Sequence, residues 1–144
     1  MELVEIPQME TGAPLPEIKI IGAKLRCAYI CSNPDFPGWD SGADSNHPGF
    51  DEYCAVIEFR DFSSYKFGAP NDEALYNHPL YKLGADYYGF YKFEKSPELK
   101  LQNDDWFWVA TFHDETLQVA ARSFSIVSSR VNTNSPKKAL EVVK

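Results

Sequence analysis

The residues best suited to chemistry fall into two polar segments within aromatic surroundings. The first, residues 71–80, contains Asp72, Glu73 and His78, and the second is His113-Asp114-Glu115. Two of the three histidines therefore lie near carboxylates. A histidine beside an aspartate or glutamate is suited to proton transfer, metal binding or pH-dependent switching. If the two segments meet in space, they form one candidate site region.

The first polar segment has a structural and a functional interpretation. In the structural one, Asn71 or Asp72 caps a single helical turn that a proline limits. In the functional one, Glu73, His78 and His113 share a cleft, because two histidines and a carboxylate can bind a divalent metal. No closely spaced motif such as HExxH occurs, so the spacing favours the structural interpretation.

The second polar segment lies at the predicted tip of a hairpin between strands 106–112 and 117–127. With Asp114 and Glu115 as the two turn residues, Phe112 faces Leu117. The predicted core face holds Trp106, Trp108, Ala110, Phe112, Leu117, Val119 and Ala121. The other face holds Phe107, Thr111, His113, Thr116, Gln118 and Arg122, and its mixed polarity predicts exposure to solvent or the lining of a cleft. Since Asp-Glu is not the favoured Asn-Gly, a longer loop and a shifted register stay open.

These patterns define the candidate binding residues but no catalytic motif. The candidates are Asp72, Glu73, His78, His113, Asp114 and Arg122. Neither a Gly-x-Ser-x-Gly motif nor a glycine-rich phosphate loop occurs. The three cysteines include no CxxC pair, and their odd number argues against a disulfide framework. We therefore predict no catalytic residue, no cofactor and no metal site.

The elements that must position these residues are mostly strands. Alternating polarity predicts strands at 18–30 and 53–60, with shorter strand-like runs at 65–67 and 86–94. The predicted fold class is mainly β, an antiparallel sheet or sandwich-like curved sheet with one or two short helices. We expect a single β-rich domain over residues 1–127, with an irregular leader at 1–16. We also expect a long turn-rich loop at 31–52 and a loosely held C-terminal tail at 128–144.

The net charge and the hydropathy of the chain limit the classes of partner that it could bind. The chain has 144 residues and a formal charge of −7, which disfavours nucleic-acid binding and suits a basic protein partner. No stretch approaches the ~20 apolar residues of a membrane helix, and no signal peptide is apparent. We therefore expect a soluble cytoplasmic protein with no membrane association.

Part of the chain resembles a known group of sequences. The pattern Asn71-Asp72-Glu73-Ala74-x-x-x-His78-Pro79-Leu80-Tyr81, followed by Tyr88-Gly89-Phe90 and Phe107-x-Val109-x-Thr111-Phe112-His113-Asp114, carries the resemblance. It is similar to a group of small uncharacterised bacterial proteins that has no established activity. The resemblance implies that Asp72, Glu73, His78, His113 and Asp114 belong to one region.

Three functional hypotheses follow. The leading one is a non-enzymatic binding protein of a bacterial cytoplasm, possibly immunity-like, with a basic protein partner. The alternative is a small enzyme or metal-binding protein that uses His78, His113 and nearby carboxylates. In the third, both polar segments are only turns that close strands. Contact between His78 and His113, with Glu73 beside them, distinguishes the second hypothesis from the others.

Overall fold

The computed structural model describes residues 2–10, 15–31 and 53–144. These residues form one antiparallel sheet with three short helices. The strands are β1 (Glu2–Leu3), β2 (Glu17–Ile21), β3 (Lys24–Cys31), β4 (Tyr53–Gly68), β5 (Phe90–Phe93), β6 (Trp106–Thr111) and β7 (Thr116–Val131). The helices are α1 (Asp72–Leu75), α2 (Pro79–Leu83) and α3 (Pro136–Val142). The mainly β, antiparallel prediction is confirmed, and the predicted loop at 31–52 lies, apart from Cys31, outside the described residues.

The sheet curves around one core. Its strand order is β1-β5-β6-β7-β4-β3-β2. The long strands β4 and β7 pair along most of their lengths, whereas β3 pairs with the first half of β4 and β6 with the first half of β7. These flanking strands therefore sit toward opposite ends of the β4–β7 ribbon. Side chains nevertheless meet across the sheet. The ring centroids of Tyr29 in β3 and Phe112, which follows β6, are 5.6 Å apart, and those of Phe59 in β4 and Trp108 in β6 are 6.2 Å apart.

The β6–β7 hairpin is shifted by two residues from the predicted register. Trp106 lies opposite Ala121 and Thr111 opposite Thr116, so four residues, 112–115, connect the strands. The amide of Phe112 closes this loop by donating to the carbonyl of Glu115 at 2.9 Å. Because side chains alternate with a period of two, a two-residue shift leaves each side chain on its predicted face.

The second face of this hairpin is buried between His113 and Arg122, which corrects the prediction of an exposed face or a cleft lining for that part of it. Phe107, Val109 and Gln118 have no exposed surface. Leu75 of α1 and Leu80 of α2 pack with Phe107 and Val109 in one apolar cluster. The prediction failed because each short helix contributes a single buried leucine, which leaves no periodic signal in the sequence.

The C-terminal segment is packed, in contrast to the loosely held tail expected for residues 128–144. Strand β7 continues to Val131, and Ala139 and Leu140 of α3 are buried against residues of β3 and β4. The guanidinium of Arg26 donates to the carbonyl of Val143 at 3.0 Å, just beyond the end of α3. No helix in the described part of the chain is long and apolar enough to span a membrane.

Candidate functional site

Two capped helical turns position the first polar segment. The side chain of Asn71 accepts a hydrogen bond from the amide of Ala74 at 2.9 Å, as the structural interpretation predicted. Helix α2 begins at Pro79, and the Nδ1 atom of His78 accepts from the amide of Leu80 at 3.2 Å. Gly84, at φ 117°, ends α2 in the left-handed conformation that glycine adopts without strain. Side-chain caps therefore hold both turns in place.

His78 belongs to a network of its own. Its Nε2 atom lies 2.8 Å from Oε1 of Glu98, and the other carboxylate oxygen of Glu98 pairs with Lys66. The hydrogen bond from Lys66 is the main reason that the pKa of Glu98 lies below its ordinary value. Because Nδ1 accepts from a backbone amide, Nε2 carries the ring proton and donates a hydrogen bond to Glu98. Nδ1 of His78 thus caps α2, whereas Nε2 links the helix to Glu98 and through it to Lys66 of β4.

The two polar segments meet through Asp72 and His113. The Nδ1 atom of His113 lies 2.8 Å from Oδ2 of Asp72, and the amide of Asp72 donates to the carbonyl of His113 at 2.9 Å. The hydroxyl of Tyr88 donates to the same Oδ2 at 2.7 Å and lies 3.2 Å from Nδ1 of His113. The rings of Tyr88 and His113 are nearly parallel, with centroids 6.4 Å apart. We call these three residues the Asp72–Tyr88–His113 cluster.

The shared carboxylate sets the electrostatics of this cluster. The hydrogen bond from Tyr88 lowers the pKa of Asp72 below its ordinary value, and His113 contributes in the same direction. The same bond raises the pKa of Tyr88, because ionising the phenol would remove the donor and place two negative charges together. With Nδ1 donating to Asp72, the Nε2 atom of neutral His113 is a proton acceptor. Nε2 lies 3.6 Å from Oδ1 of Asp114, and the His113 side chain is 44% exposed.

Tyr88 is a site residue that the sequence analysis did not select. It adopts φ 51°, a conformation that is costly for an aromatic residue. The next residue, Gly89, donates to the hydroxyl of Thr111 at 2.9 Å, and that hydroxyl donates to the carbonyl of Asp86 at 2.7 Å. Thr111 therefore holds the strained turn. Tyr88 also lines a cleft of about 490 Å³ between residues 3–9 and 88–91.

Further carboxylates surround the hairpin loop beside this cluster. Burial raises the pKa of Glu115, and the negative charges of Asp114 and Glu17 raise it further. Asp114 also contributes to the raised pKa of Tyr88. Both Asp114 and Glu17 are exposed. The end of the molecule that carries His113 is therefore an acidic surface.

Two candidate residues lie apart from the cluster. Glu73 is exposed on α1 and does not bond to either histidine. Arg122 follows Ala121, which pairs with Trp106, whereas His113 lies beyond the other end of β6. Six residues at ~3.3 Å each place these two ends roughly 20 Å apart. Arg122 lines a separate polar recess with residues 61–63, 102, 103 and 105.

The cluster is equipped for proton exchange and hydrogen bonding. Among the described residues, no group of three histidine, cysteine, aspartate or glutamate side chains could hold a metal ion. His78 bonds to Glu98 and His113 to Asp72, so the two histidines belong to separate networks and do not share a carboxylate partner. Within residues 2–10, 15–31 and 53–144, no serine, threonine or cysteine side chain is hydrogen-bonded to His113. The arrangement thus has an oriented histidine without a nucleophile bonded to it.

Comparison with known proteins gives no further guide, since no family model, no curated protein and no solved structure matches this chain.

Proposed function

We propose that this chain is a non-catalytic binding protein of the bacterial cytoplasm, immunity-like in character, that recognises a basic protein. The observation that carries the proposal is the acidic surface around His113. Glu17, Asp114 and Glu115 lie close enough for the first two to raise the pKa of the third. Like charges held together are unfavourable in the free protein, and a cationic partner would relieve that repulsion.

The geometry also supports binding over catalysis. His78 is engaged at both ring nitrogens, and the Asp72–Tyr88–His113 cluster fastens the start of α1 to the hairpin loop. Anchored elements present a surface with little reorganisation on binding, which favours affinity. The formal charge of −7 disfavours a phosphate backbone as the partner. A basic protein surface is the macromolecular ligand that fits both observations.

Quantitative capture from the native lysate tests this proposal. Equal amounts of three immobilised baits are compared at 50 mM and 500 mM salt: the wild type, Glu17→Gln with Asp114→Asn, and Glu94→Gln with Asp104→Asn. The two double variants remove equal charge from exposed sites, but Glu94 and Asp104 lie near the Trp106 end of β6. Each exposed ion pair across an interface is worth at most about five-fold in affinity.

We expect the wild-type bait and the Glu94/Asp104 double variant to recover equal amounts of a basic protein at 50 mM salt. The Glu17/Asp114 variant should recover less of it, and 500 mM salt should release it from every bait because screening weakens exposed charge pairs. Equal recovery on all three baits, or recovery that does not respond to salt, would contradict the proposal.

A second candidate function is a small acid–base enzyme centred on His113. The observation in its favour is that Asp72 orients Nδ1 of a ring that is 44% exposed and leaves Nε2, 3.6 Å from Oδ1 of Asp114, as the atom that could take a proton. A screen of ester, amide and phosphoester substrates tests it. Turnover that falls at least about 100-fold in His113→Gln, consistent with loss of a general base, and persists in His78→Gln would support this candidate over the binding function.

A further inference from the structure

Three tyrosines, from the end of α1, from α2 and from the loop that follows it, form a surface patch. Tyr76 ends α1, Tyr81 lies in α2, and Tyr87 lies in the loop that leads to Tyr88. The ring centroids of Tyr76 and Tyr81 are 5.4 Å apart, and those of Tyr81 and Tyr87 are 6.1 Å apart. Tyr76 is 64% exposed and Tyr87 is 38% exposed. We call this group the tyrosine patch.

The patch is held on the body of the protein. Leu75 and Leu80, which neighbour Tyr76 and Tyr81 in the chain, are buried in one apolar cluster with Phe107 and Val109 of β6. The carboxylate of Asp86 accepts from the amide of Tyr87 at 2.7 Å, which orients the loop. The rings are therefore presented from anchored backbone, and ordering them on binding costs little conformational entropy.

Carboxylates border the tyrosine patch. Between Asn71 and Tyr88 the chain carries three acids, Asp72, Glu73 and Asp86, against one base, Lys82. Glu73 precedes Tyr76 by three residues, a spacing that places side chains on one side of a helical turn. Asp86 adjoins Tyr87 in the chain. The chain segment that carries the rings therefore has a net negative charge, with Glu73 and Asp86 as the acids nearest to Tyr76 and Tyr87 in the sequence.

We propose that the tyrosine patch recognises an arginine-bearing segment of the basic protein partner, with guanidinium groups stacked on Tyr76 and Tyr87 and paired with Glu73 and Asp86. This inference rests on the proposed function and assigns it a surface and a ligand chemistry. A guanidinium is planar and weakly hydrated, so it stacks on an aromatic face while its N–H groups donate to carboxylates. Exposed tyrosines with a polar rim are also the usual anchors of protein interfaces.

A defined peptide tests the inference. The probe is a nine-residue peptide of alternating arginine and glycine, compared with the same peptide carrying neutral citrulline in place of arginine. Affinity is measured by fluorescence anisotropy at 50 mM salt for the wild type, Tyr76→Ala with Tyr87→Ala, Tyr76→Phe with Tyr87→Phe, and Tyr65→Ala. Tyr65 is the control because it is 40% exposed but lies on β4. Far-UV circular dichroism confirms that each variant is folded.

The inference expects the double alanine variant to bind about ten-fold more weakly, from two lost cation–π contacts. The phenylalanine variant should stay within about three-fold of the wild type because it keeps both aromatic faces. The Tyr65 variant should bind as the wild type does, and the citrulline peptide should not bind. Unchanged affinity in the double alanine variant, or no binding by the wild type, overturns the inference. If the Glu17 and Asp114 changes still reduce capture from the lysate in that case, the proposed function stands and only the tyrosine patch is excluded.

Discussion

Replacing Glu58 with glutamine should destabilise the protein by about 3 kcal/mol, and the structure shows where that energy arises. The Glu58 side chain is 2% exposed, and its two oxygens accept from Nε of Arg26 and Nε of Arg60, each at 2.9 Å. Arg60 is 55% exposed, so its share is at most ~1 kcal/mol. Arg26 is 10% exposed and also donates to the carbonyl of Val143. Leaving this guanidinium buried without its counter-ion accounts for the remaining ~2–3 kcal/mol. This lies at the lower end of the ~3–5 kcal/mol cost of breaking a buried pair, because the amide oxygen of glutamine can still accept one hydrogen bond.

The assay is urea unfolding at pH 7, with Arg60→Gln as the matched control. The control should lose less than about 1 kcal/mol, because it removes only the exposed partner. The pKa of Glu58 is lowered in the folded protein, since the hydrogen bonds from Arg60 and Arg26 outweigh the opposing effect of burial. The carboxylate therefore contributes stability above its unfolded pKa of about 4.3. That contribution disappears as the pH falls through the lower folded value.

The difference in unfolding free energy between wild type and Glu58→Gln should accordingly be largest at neutral pH and shrink in acid. Two results would refute the reasoning: a Glu58→Gln variant as stable as the wild type, or an Arg60→Gln variant that loses as much as Glu58→Gln. Either would mean that the buried pair with Arg26 does not hold β3, β4 and the end of α3 together.

Three further predictions concern the residues around the candidate site. His78→Ala should lower the unfolding free energy by about 1 kcal/mol through loss of the α2 cap, whereas His78→Asn should keep most of it; equal thermal melts for both would contradict this role. Gly89→Ala should cost about 1–3 kcal/mol, because the new methyl would lie 2.6–2.7 Å from ring carbons of Tyr91, and chemical denaturation measures the loss. Tyr88→Phe should move the pKa of Asp72 up toward its ordinary value in a carboxyl carbon NMR titration, and an unchanged pKa would argue against the shared hydrogen bond.

Much of the fold was predictable because strands carry a local signal. The alternation of Ala55, Ile57 and Phe59 predicted a strand with these residues on one face, and all three lie in the core. The residues on the core face of the β6–β7 hairpin were also predicted correctly, although the register is shifted by two residues. A slip of two residues preserves side-chain direction, whereas a slip of one would have inverted it.

The candidate site was predicted only in part, because its bonds join residues far apart in the chain. The sequence pointed to Asp72 and His113 but not to Tyr88, which lies 16 residues from Asp72 and 25 from His113. His78 bonds to Glu98, a residue that the sequence did not connect with either polar segment. A glycine after Tyr88 was the one local sign of an unusual backbone there.

The binding account is tested most directly by the affinity for the captured basic protein, measured by isothermal titration calorimetry at 50 mM and 300 mM salt. The account predicts that Glu17→Gln with Asp114→Asn weakens binding by about two- to twenty-five-fold at 50 mM salt, from two lost ion pairs. Glu94→Gln with Asp104→Asn should leave the affinity unchanged, and 300 mM salt should narrow the difference between the variants. Equal dissociation constants for both double variants at low salt, or an affinity that does not respond to salt, would contradict the assignment of the acidic surface around His113 as the binding site.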